Sequence, residues 1–176
     1  MSQSSAIMNG KRGLIMGVAN DRSIAWGIAA QAAAAGAELA FTYQGDALKK
    51  RVGPLAESVG SDLVMPCDVT DEASVDSVFE TLNQKWGKLD FVLHAIAYSD
   101  KEELKGEYVD TSRENFTRTM DISVYSFTAV AQRAEKLMTD GGSMLTMTYY
   151  GAEQVMPHYN VTVSYTHLTL PTTPYV

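Results

Sequence analysis

Short apolar runs alternate with longer amphipathic stretches along most of the chain. Residues 11–18 (KRGLIMGV) form an apolar run that ends in a glycine turn, which is typical of a buried parallel strand. Between such runs the apolar residues recur at helical spacing. The predicted strands are 11–18, 37–43, 62–66, 89–95 and 143–148, and the predicted helices are 23–36, 46–59, 70–86 and 111–138.

Helix ends and buried faces can also be predicted from the pattern. Ser23 is a good N-cap for the first helix, Gly36 a good residue to end it, and Thr70 is predicted to cap the third helix. The third helix has one apolar face, made of Val75, Val78, Phe79, Leu82 and Trp86. The long fourth helix carries Phe116, Met120, Phe127 and Leu137 on its apolar side.

This alternation of strands and helices predicts right-handed βαβ units and a parallel sheet. The expected fold is α/β, a Rossmann-like doubly wound sheet with strand order 3-2-1-4-5, incomplete at its C-terminal end. We expect a nucleotide-binding domain over residues 1–161. Residues 162–176 are rich in Thr, contain Pro171 and Pro174, and do not encode the helix of a further βαβ unit. We expect this tail to be disordered or foreign to the gene.

Composition excludes several classes of function. With 45% hydrophobic and 20% charged residues, the chain resembles an ordinary folded domain. A formal net charge of -7 without a basic stripe argues against nucleic acid as a partner. Cys67 is the only cysteine, and we find neither a signal peptide nor a membrane-spanning run. We therefore expect a cytoplasmic protein without a membrane partner, and the absence of metal-ligand spacing predicts no metal.

The turn after the first strand is the first candidate site. Gly17 permits a tight turn, and Ser23 begins the next helix, whose free N–H groups suit a pyrophosphate. The motif is not GxGxxG, so an ordinary strand-to-helix turn is an equally good interpretation.

The ends of the second and third strands add two more candidates. Gln44 stands where a dinucleotide fold contacts the adenosine ribose, and its neutral side chain favours NADH over NADPH. Asp68 is placed to accept from an adenine amino group, with Val69 against the ring, although Asp68 could instead cap the next helix beside Thr70. His94 lies inside an apolar strand and is expected to be a core histidine rather than a base.

The last cluster follows the fifth strand. Tyr149 comes just beyond the strand, where doubly wound folds keep their chemistry, and Tyr159 follows ten residues later. A phenol keeps its proton at neutral pH, so it can donate to a forming oxyanion.

Taken together, these segments resemble the enoyl-acyl carrier protein reductases, a divergent branch of the short-chain dehydrogenase/reductase family, and most closely the bacterial NADH-dependent type. The resemblance extends from Met8 to about Val161. It is carried by the G-x5-S-x-A pattern from Gly17, FTYQG from Phe41, CDVT from Cys67, HAIAYS from His94, and GGSMLTMTYYGAEQVMPHYNV from Gly141.

The resemblance implies the following roles. The family reaction is hydride transfer from NADH to the β-carbon of a trans-2-enoyl thioester on acyl carrier protein, a step of fatty acid biosynthesis. Ser99 would lie near the substrate, and Tyr149 and Tyr159 match the family's active-site tyrosines. The intact family member is expected to be a homotetramer. The residues that would hold NADH are Gly17, Ser23, Ile24, Gln44, Asp68, Val69 and Ile96.

One departure from the family pattern concerns catalysis. The family has a lysine seven positions after the second tyrosine, and this chain has Thr166 there. That lysine contacts the nicotinamide ribose and adds positive charge, so we expect this chain to lack the family's turnover. Two alternative functions are a short-chain dehydrogenase acting on a carbonyl and a nucleotide-binding fragment without catalysis.

Overall fold

The computed structural model describes residues 6–149 and 160–161, which belong to two compact units. The first unit contains the described residues up to Ile96 together with residues 128–146. The second unit contains residues 97–127 and the described residues from 147 onward.

The first unit is built on a parallel sheet of five strands in the order β3-β2-β1-β4-β5, which confirms the predicted topology. The strands are at most two residues shorter at either end than predicted. They are β1 (Arg12–Met16), β2 (Glu38–Tyr43), β3 (Leu63–Pro66), β4 (Phe91–His94) and β5 (Ser143–Thr146).

Five α-helices are present in the described residues. Each of the first three connects two consecutive strands of the sheet. They are α1 (Ile24–Ala34), α2 (Gly45–Ser58), α3 (Glu72–Trp86), α4 (Arg113–Met120) and α5 (Ser126–Ala134).

Successive residues of a strand point to opposite faces of the sheet, and helices cover both faces. The sheet therefore has a core cluster on each side. In β1, Leu14 and Met16 pack in one core cluster while Ile15 packs in the other. The first cluster adds α3 residues and the end of α5, through Val75, Val78, Leu82, Val130 and Ala134. The second adds α1 and α2, through Ala25, Ala29, Val52 and Ala56.

The predicted apolar face of α3 is confirmed, but its predicted cap is wrong. Asp71, not Thr70, occupies the N-cap position, and its carboxylate accepts a hydrogen bond from Ala73 N at 3.0 Å. Thr70 lies one residue too early and donates instead to Asp68. The helix ends at Gly87, which has a left-handed φ of 68°.

The long helix predicted over residues 111–138 is interrupted. A π-helical turn, Asp121–Tyr125, separates α4 from α5. At this turn the Ser126 hydroxyl donates to the Ile122 carbonyl oxygen at 2.6 Å, and Ser123 Oγ accepts from Tyr98 N at 3.0 Å. Serine side chains that compete for backbone groups commonly bend or interrupt a helix.

The predicted apolar side of this region is also partly wrong. Phe116 is 39% exposed, whereas Asn115 and Thr119 of α4 are buried. Leu137 is buried as predicted, but it lies beyond the end of α5. The buried side of α4 is therefore polar.

Candidate functional site

Residues that follow β1, β2, β3 and β4 lie at one edge of the parallel sheet. Between β1 and β4 the order of the strands reverses, because the chain moves outward first through β2 and β3 and then through β4 and β5. Open α/β sheets bind ligands beside such a reversal, at the carboxyl ends of the strands. The structure places the predicted Gly17, Gln44, Asp68 and Ile96 at this edge.

Gly17 makes the turn after β1 possible. It has a φ of +94°, and a Cβ atom at this position would lie 2.0 Å from the carbonyl oxygen of Ala95. Ala95 N in turn donates to the Met16 carbonyl oxygen at 3.0 Å. The ends of β1 and β4 are thus in direct backbone contact, which a side chain at residue 17 would prevent.

The amino end of α1 lies behind this turn. Ser23 occupies the N-cap position, but its hydroxyl donates to the Asn20 carbonyl oxygen at 2.7 Å and makes no capping hydrogen bond. The predicted N-cap position of Ser23 is therefore confirmed, but its side chain does not cap the helix. The first turn of α1 also contains no acidic residue, and Ile24 within it is 65% exposed. Its N–H groups lack a side-chain cap, as an anion-binding helix end requires.

Gln44 and Asp68 are joined directly across the ends of β2 and β3. Gln44 Nε2 donates to Asp68 Oδ2 at 3.0 Å. The other carboxylate oxygen, Asp68 Oδ1, accepts from Thr70 N at 3.0 Å and from Thr70 Oγ1 at 2.7 Å. Asp68 therefore stabilises the loop before α3 rather than capping that helix.

The Asp68 carboxylate is negatively charged at neutral pH. The hydrogen bond from the Thr70 N–H holds the pKa of Asp68 below its ordinary value, against an opposing effect of burial. The Thr70 hydroxyl and the Gln44 amide act in the same direction. The end of β3 thus presents a fixed anionic group, and a neutral amide extends from the end of β2 to meet it.

Apolar residues complete this edge. Val69 and Ile96 are half-buried and pack against the core cluster that includes α3. Cys67 is buried, and burial raises the pKa of its thiol to about 11. His94 is fully buried in β4, as expected, and burial lowers its pKa to about 4, so it is neutral at physiological pH.

The second unit holds Ser99 in a network of hydrogen bonds centred on Asn115. Asn115 Nδ2 donates to Ser99 Oγ at 3.3 Å and to Glu103 Oε2 at 3.2 Å. Asn115 Oδ1 accepts from Asp100 N at 2.9 Å and from Thr119 Oγ1 at 3.3 Å. This network explains why α4 buries a polar side, since each buried polar group there has a partner.

Sequence reasoning missed Asn115 and Glu103. Glu103 accepts from both the hydroxyl and the N–H of Ser112, and the Ser112 hydroxyl lowers the pKa of Glu103. Ser112 also caps α4 by accepting from Asn115 N at 3.1 Å. The sequence signal was Ser112, a residue type favoured at the start of a helix, which does not indicate a network.

The predicted catalytic tyrosines are only partly described. Tyr149 is half-buried in the second unit. Tyr159, Thr166 and the predicted tail 162–176 lie outside the described residues. Asn160, next to Tyr159, donates through Nδ2 to the Glu103 carbonyl oxygen at 2.9 Å.

Within residues 6–149 and 160–161, no three His, Cys, Asp or Glu side chains are grouped so that they could hold a metal ion. No helix in the same part of the chain has the length and apolar character needed to cross a bilayer.

The sheet order and the Gly17 turn define an α/β domain of the Rossmann type, with a doubly wound parallel sheet. A family model described as enoyl-(acyl carrier protein) reductase matches residues 17–168. The chain therefore belongs to the enoyl-(acyl carrier protein) reductase family.

Known relatives agree with this assignment. Over 161 residues the chain is 70% identical to enoyl-[acyl-carrier-protein] reductase [NADH] 1 of Rhizobium meliloti, a match that covers 92% of this chain and 59% of the relative. It is 52% identical to the NADH-dependent FabI of Rickettsia bellii over 158 residues, 90% of this chain and 60% of that protein.

Solved structures give the same result. The Anaplasma phagocytophilum enoyl-(acyl-carrier-protein) reductase, crystallised with NAD, superposes with a TM-score of 0.89 at 58% identity and covers 93% of this chain. FabI of Candidatus Liberibacter asiaticus superposes with a TM-score of 0.89 at 53% identity and covers 92% of this chain. This chain spans about 60% of the length of the relatives it matches.

Proposed function

We propose that this chain binds NADH at the carboxyl edge of its sheet, as part of an enoyl-acyl carrier protein reductase of fatty acid biosynthesis. One observation carries the proposal: the uncapped amino end of α1 lies directly behind the Gly17 turn, where the strand order reverses. The relatives named above support it, since they are NADH-dependent reductases of this class.

The residues at the edge fit a dinucleotide. Gly17, Ser23 and Ile24 surround the helix end that suits a pyrophosphate. Gln44 would face the adenosine ribose, Asp68 and Val69 the adenine, and Ile96 the nicotinamide half. The bound cofactor supplies a hydride, and the protein supplies position and electrostatics.

Catalysis requires more than this edge. Reduction of a trans-2-enoyl thioester places negative charge on the thioester oxygen, and we propose that Tyr159 donates to it. Tyr149 and Ser99 are proposed to approach the substrate. Acyl carrier protein as partner, a homotetramer for the intact family member and a cytoplasmic location belong to the same proposal, because they follow from the family.

Thr166 favours a second candidate function, nucleotide binding without turnover. A threonine lacks both the charge and the length of the family's lysine. Loss of one oxyanion contact costs roughly 10²–10³-fold in rate. A displacement of about 1 Å in the reacting groups costs on the order of 10²-fold more.

Nucleotide binding is tested by Ser23→Asp. An aspartate at an N-cap favours the helix through capping and the helix dipole, by about 0.5–1 kcal/mol. The same charge repels a pyrophosphate at that helix end. We expect Ser23→Asp to raise the urea midpoint of unfolding while weakening NADH binding at least tenfold by titration calorimetry.

A control accompanies this variant. Ser58→Asp adds the same charge at the last residue of α2. It should leave NADH binding within about twofold. Wild-type chain that does not bind NADH, or Ser23→Asp that binds it normally, would contradict the proposed site.

Turnover separates the candidate functions. NADH oxidation is followed with a crotonyl thioester and, separately, with simple ketones. Binding without oxidation of NADH supports the nucleotide-binding candidate. Turnover of about 10 per second with the thioester would establish the reductase in this chain and overturn the expectation from Thr166. Turnover of ketones alone would show a carbonyl reductase instead.

A further inference from the structure

The side-chain amide of Asn115 makes every hydrogen bond that an amide can make. Asn115 is 5% exposed and lies on the buried side of α4. Its Oδ1 accepts from Asp100 N at 2.9 Å and from the Thr119 hydroxyl at 3.3 Å. Its Nδ2 donates to Glu103 Oε2 at 3.2 Å and to Ser99 Oγ at 3.3 Å. An amide has two lone pairs and two N–H groups, so the side chain is fully satisfied.

The neighbours of Asn115 fix which way round its amide lies. A backbone N–H such as that of Asp100 can only donate, and an ionised carboxylate such as that of Glu103 can only accept. Hydrogen bonds from the Ser112 hydroxyl and N–H hold the pKa of Glu103 below its ordinary value, so this carboxylate is ionised at neutral pH. Turning the amide over would place oxygen against carboxylate and N–H against N–H. The second N–H of Nδ2 is therefore directed at Ser99.

This orientation decides the polarity of the Ser99 hydroxyl. A serine hydroxyl can donate or accept, and its proton rotates to suit the neighbours. Because Asn115 donates to Ser99 Oγ, the Ser99 proton has to point elsewhere. Among residues 6–149 and 160–161 no group accepts this proton, and Ser99 is half-buried. Ser99 therefore presents a donor to a molecule that binds against it.

We propose that Ser99 is a substrate-binding residue that donates its hydroxyl proton to the carbonyl oxygen of the enoyl thioester, and that Asn115 and Glu103 are positioning residues that keep it a donor. The reacting end of an enoyl thioester has a strong acceptor, the carbonyl oxygen, and no donor. A hydroxyl held in the opposite polarity would find no partner there. The inference rests on the proposed reductase function and deepens it, because it assigns the direction of the Ser99 contact.

The same network reaches the residue beside the proposed catalytic tyrosine. Asn160 Nδ2 donates to the Glu103 carbonyl oxygen at 2.9 Å. Tyr159, which immediately precedes Asn160, is proposed to donate to the same thioester oxygen. Glu103 thus contacts Asn160 through its backbone and, through its side chain, the amide that orients Ser99. A carbonyl oxygen has two lone pairs, so it can accept from both proposed donors.

The test reads the polarity of the contact from the substrate itself. Crotonyl-pantetheine, isotope-labelled at its carbonyl carbon, is bound to the intact chain together with NAD, which has no hydride to transfer. Infrared difference spectroscopy gives the carbonyl stretching frequency, which falls when the oxygen accepts a hydrogen bond. We expect Ser99→Ala to raise this frequency above that of the wild-type complex and to weaken crotonyl-pantetheine binding about three- to tenfold. Ser99→Thr keeps the hydroxyl and should restore both.

Asn115→Asp tests the positioning role. A carboxylate at this position donates no hydrogen bond, so the Ser99 proton should turn toward it and away from the substrate. We expect this variant to raise the frequency as far as Ser99→Ala does, and Ser99→Ala in the same chain to add nothing further. A loss of packing alone does not produce this non-additivity. Thr117→Asp is the matched control, because it adds the same charge on the exposed side of α4 and should leave the frequency unchanged.

An exchanged pair, Asn115→Asp combined with Glu103→Gln, keeps the test decisive if the single variant does not fold. The exchange preserves the net charge, and it preserves a hydrogen bond between residues 103 and 115 with donor and acceptor reversed. The Asp100 N–H also keeps an acceptor. The group that faces Ser99 changes from donor to acceptor, so the exchanged pair should raise the frequency to that of Ser99→Ala.

Each outcome separates the inference from the function on which it rests. A frequency that Ser99→Ala leaves unchanged would overturn the proposed contact, although bound crotonyl-pantetheine would still support the proposed function. An exchanged pair with the wild-type frequency would overturn the positioning role of Asn115 and Glu103. An equal rise in Thr117→Asp would show that added charge, not the polarity of Ser99, sets the frequency, and would also overturn that role. A wild-type chain that binds NADH but not crotonyl-pantetheine would overturn the inference alone, and one that binds neither would overturn the proposed function as well.

Discussion

The carbonyl oxygen of Ala95 occupies the space that a Cβ atom on Gly17 would need, at 2.0 Å from its ideal position. The contact joins the ends of β1 and β4 at the point where the strand order reverses. The Ala95 oxygen and the Gly17 Cα atom both belong to the backbone of the sheet region. They therefore cannot move aside as a flexible side chain would. Gly17 is therefore required by the packing of the sheet as well as by the turn.

We predict that Gly17→Ala destabilises the chain by at least about 3 kcal/mol, in the upper range for single substitutions. The new Cβ collides with backbone, and the φ of +94° is unfavourable for any residue with a side chain. Urea unfolding followed by circular dichroism measures the change.

Gly27→Ala is the matched control for this prediction. Gly27 lies inside α1, and a Cβ there meets no atom within 4 Å. Alanine is the better helix former, so this variant should gain up to about 1 kcal/mol. Similar free energies of unfolding for the two variants would show that the close approach to Ala95 does not constrain residue 17.

The fold could be predicted from the sequence because its signal is repeated. Short apolar runs alternate with longer amphipathic stretches, and this alternation predicts βαβ units and a parallel sheet. The pattern failed where polar groups are buried. The sequence pattern predicts an exposed Asn115 beside a buried Phe116. Asn115 is buried because it forms hydrogen bonds with three residues up to 16 positions away, Ser99, Asp100 and Glu103.

The candidate site, like the fold, could be predicted only in part. The positions of Gly17, Gln44 and Asp68 at one sheet edge were predictable, since strand ends converge there. The hydrogen bond between Gln44 and Asp68 was not, because the two side chains are 24 residues apart and each has a plausible role alone. Side-chain pairing of this kind depends on the register of β2 and β3, which the sequence does not show.

The Asn115 network leads to a second prediction. Asn115→Ala removes the two N–H donors and the acceptor of a buried side chain, and leaves its partly buried partners without them, which should cost about 1–3 kcal/mol. It should also speed hydrogen exchange at the Asp100 amide, which donates to Asn115 Oδ1 at 2.9 Å. Urea unfolding and exchange measured by NMR report the two effects.

Asn83→Ala, at an exposed site near the end of α3, serves as the control and should change stability by less than about 0.5 kcal/mol. If Asp100 exchanges at the same rate in Asn115→Ala as in the wild type, the network does not hold this loop.

A third prediction concerns acid stability and His94. Burial lowers the pKa of His94 from 6.5 to about 4, so the unfolded chain takes up a proton at a higher pH than the folded chain. The contribution of His94 to stability is therefore complete above about pH 6.5 and is lost as the pH falls toward 4. We expect a loss of about 2–3 kcal/mol between pH 7 and 4.5, beyond that of the carboxylates.

Phenylalanine does not titrate, so His94→Phe should reduce the loss of unfolding free energy between pH 7 and 4.5. This holds whatever the substitution does to stability at neutral pH. The measurement is the urea midpoint at several pH values for both proteins. Parallel curves for the wild type and His94→Phe would mean that His94 keeps an ordinary pKa in the folded chain.

The last prediction uses Cys67 as a reporter of the proposed site. Cys67 is 6% exposed, and burial raises the pKa of its thiol to about 11, so little thiolate exists at neutral pH. We expect native protein to react with a disulfide reagent far more slowly than unfolded protein, at a rate set by opening of the segment around the end of β3.

This rate also tests cofactor binding, because Cys67 immediately precedes Asp68. If NADH binds only the closed segment, NADH at about ten times its dissociation constant should slow labelling about tenfold. A Ser58→Cys thiol in a Cys67→Ser background, at the exposed end of α2, should react at once and show no protection by NADH. Rapid labelling of native Cys67 would contradict its burial. Slow labelling that saturating NADH does not change would show that this segment opens while the cofactor is still bound. Asp68 would then not be part of the binding site.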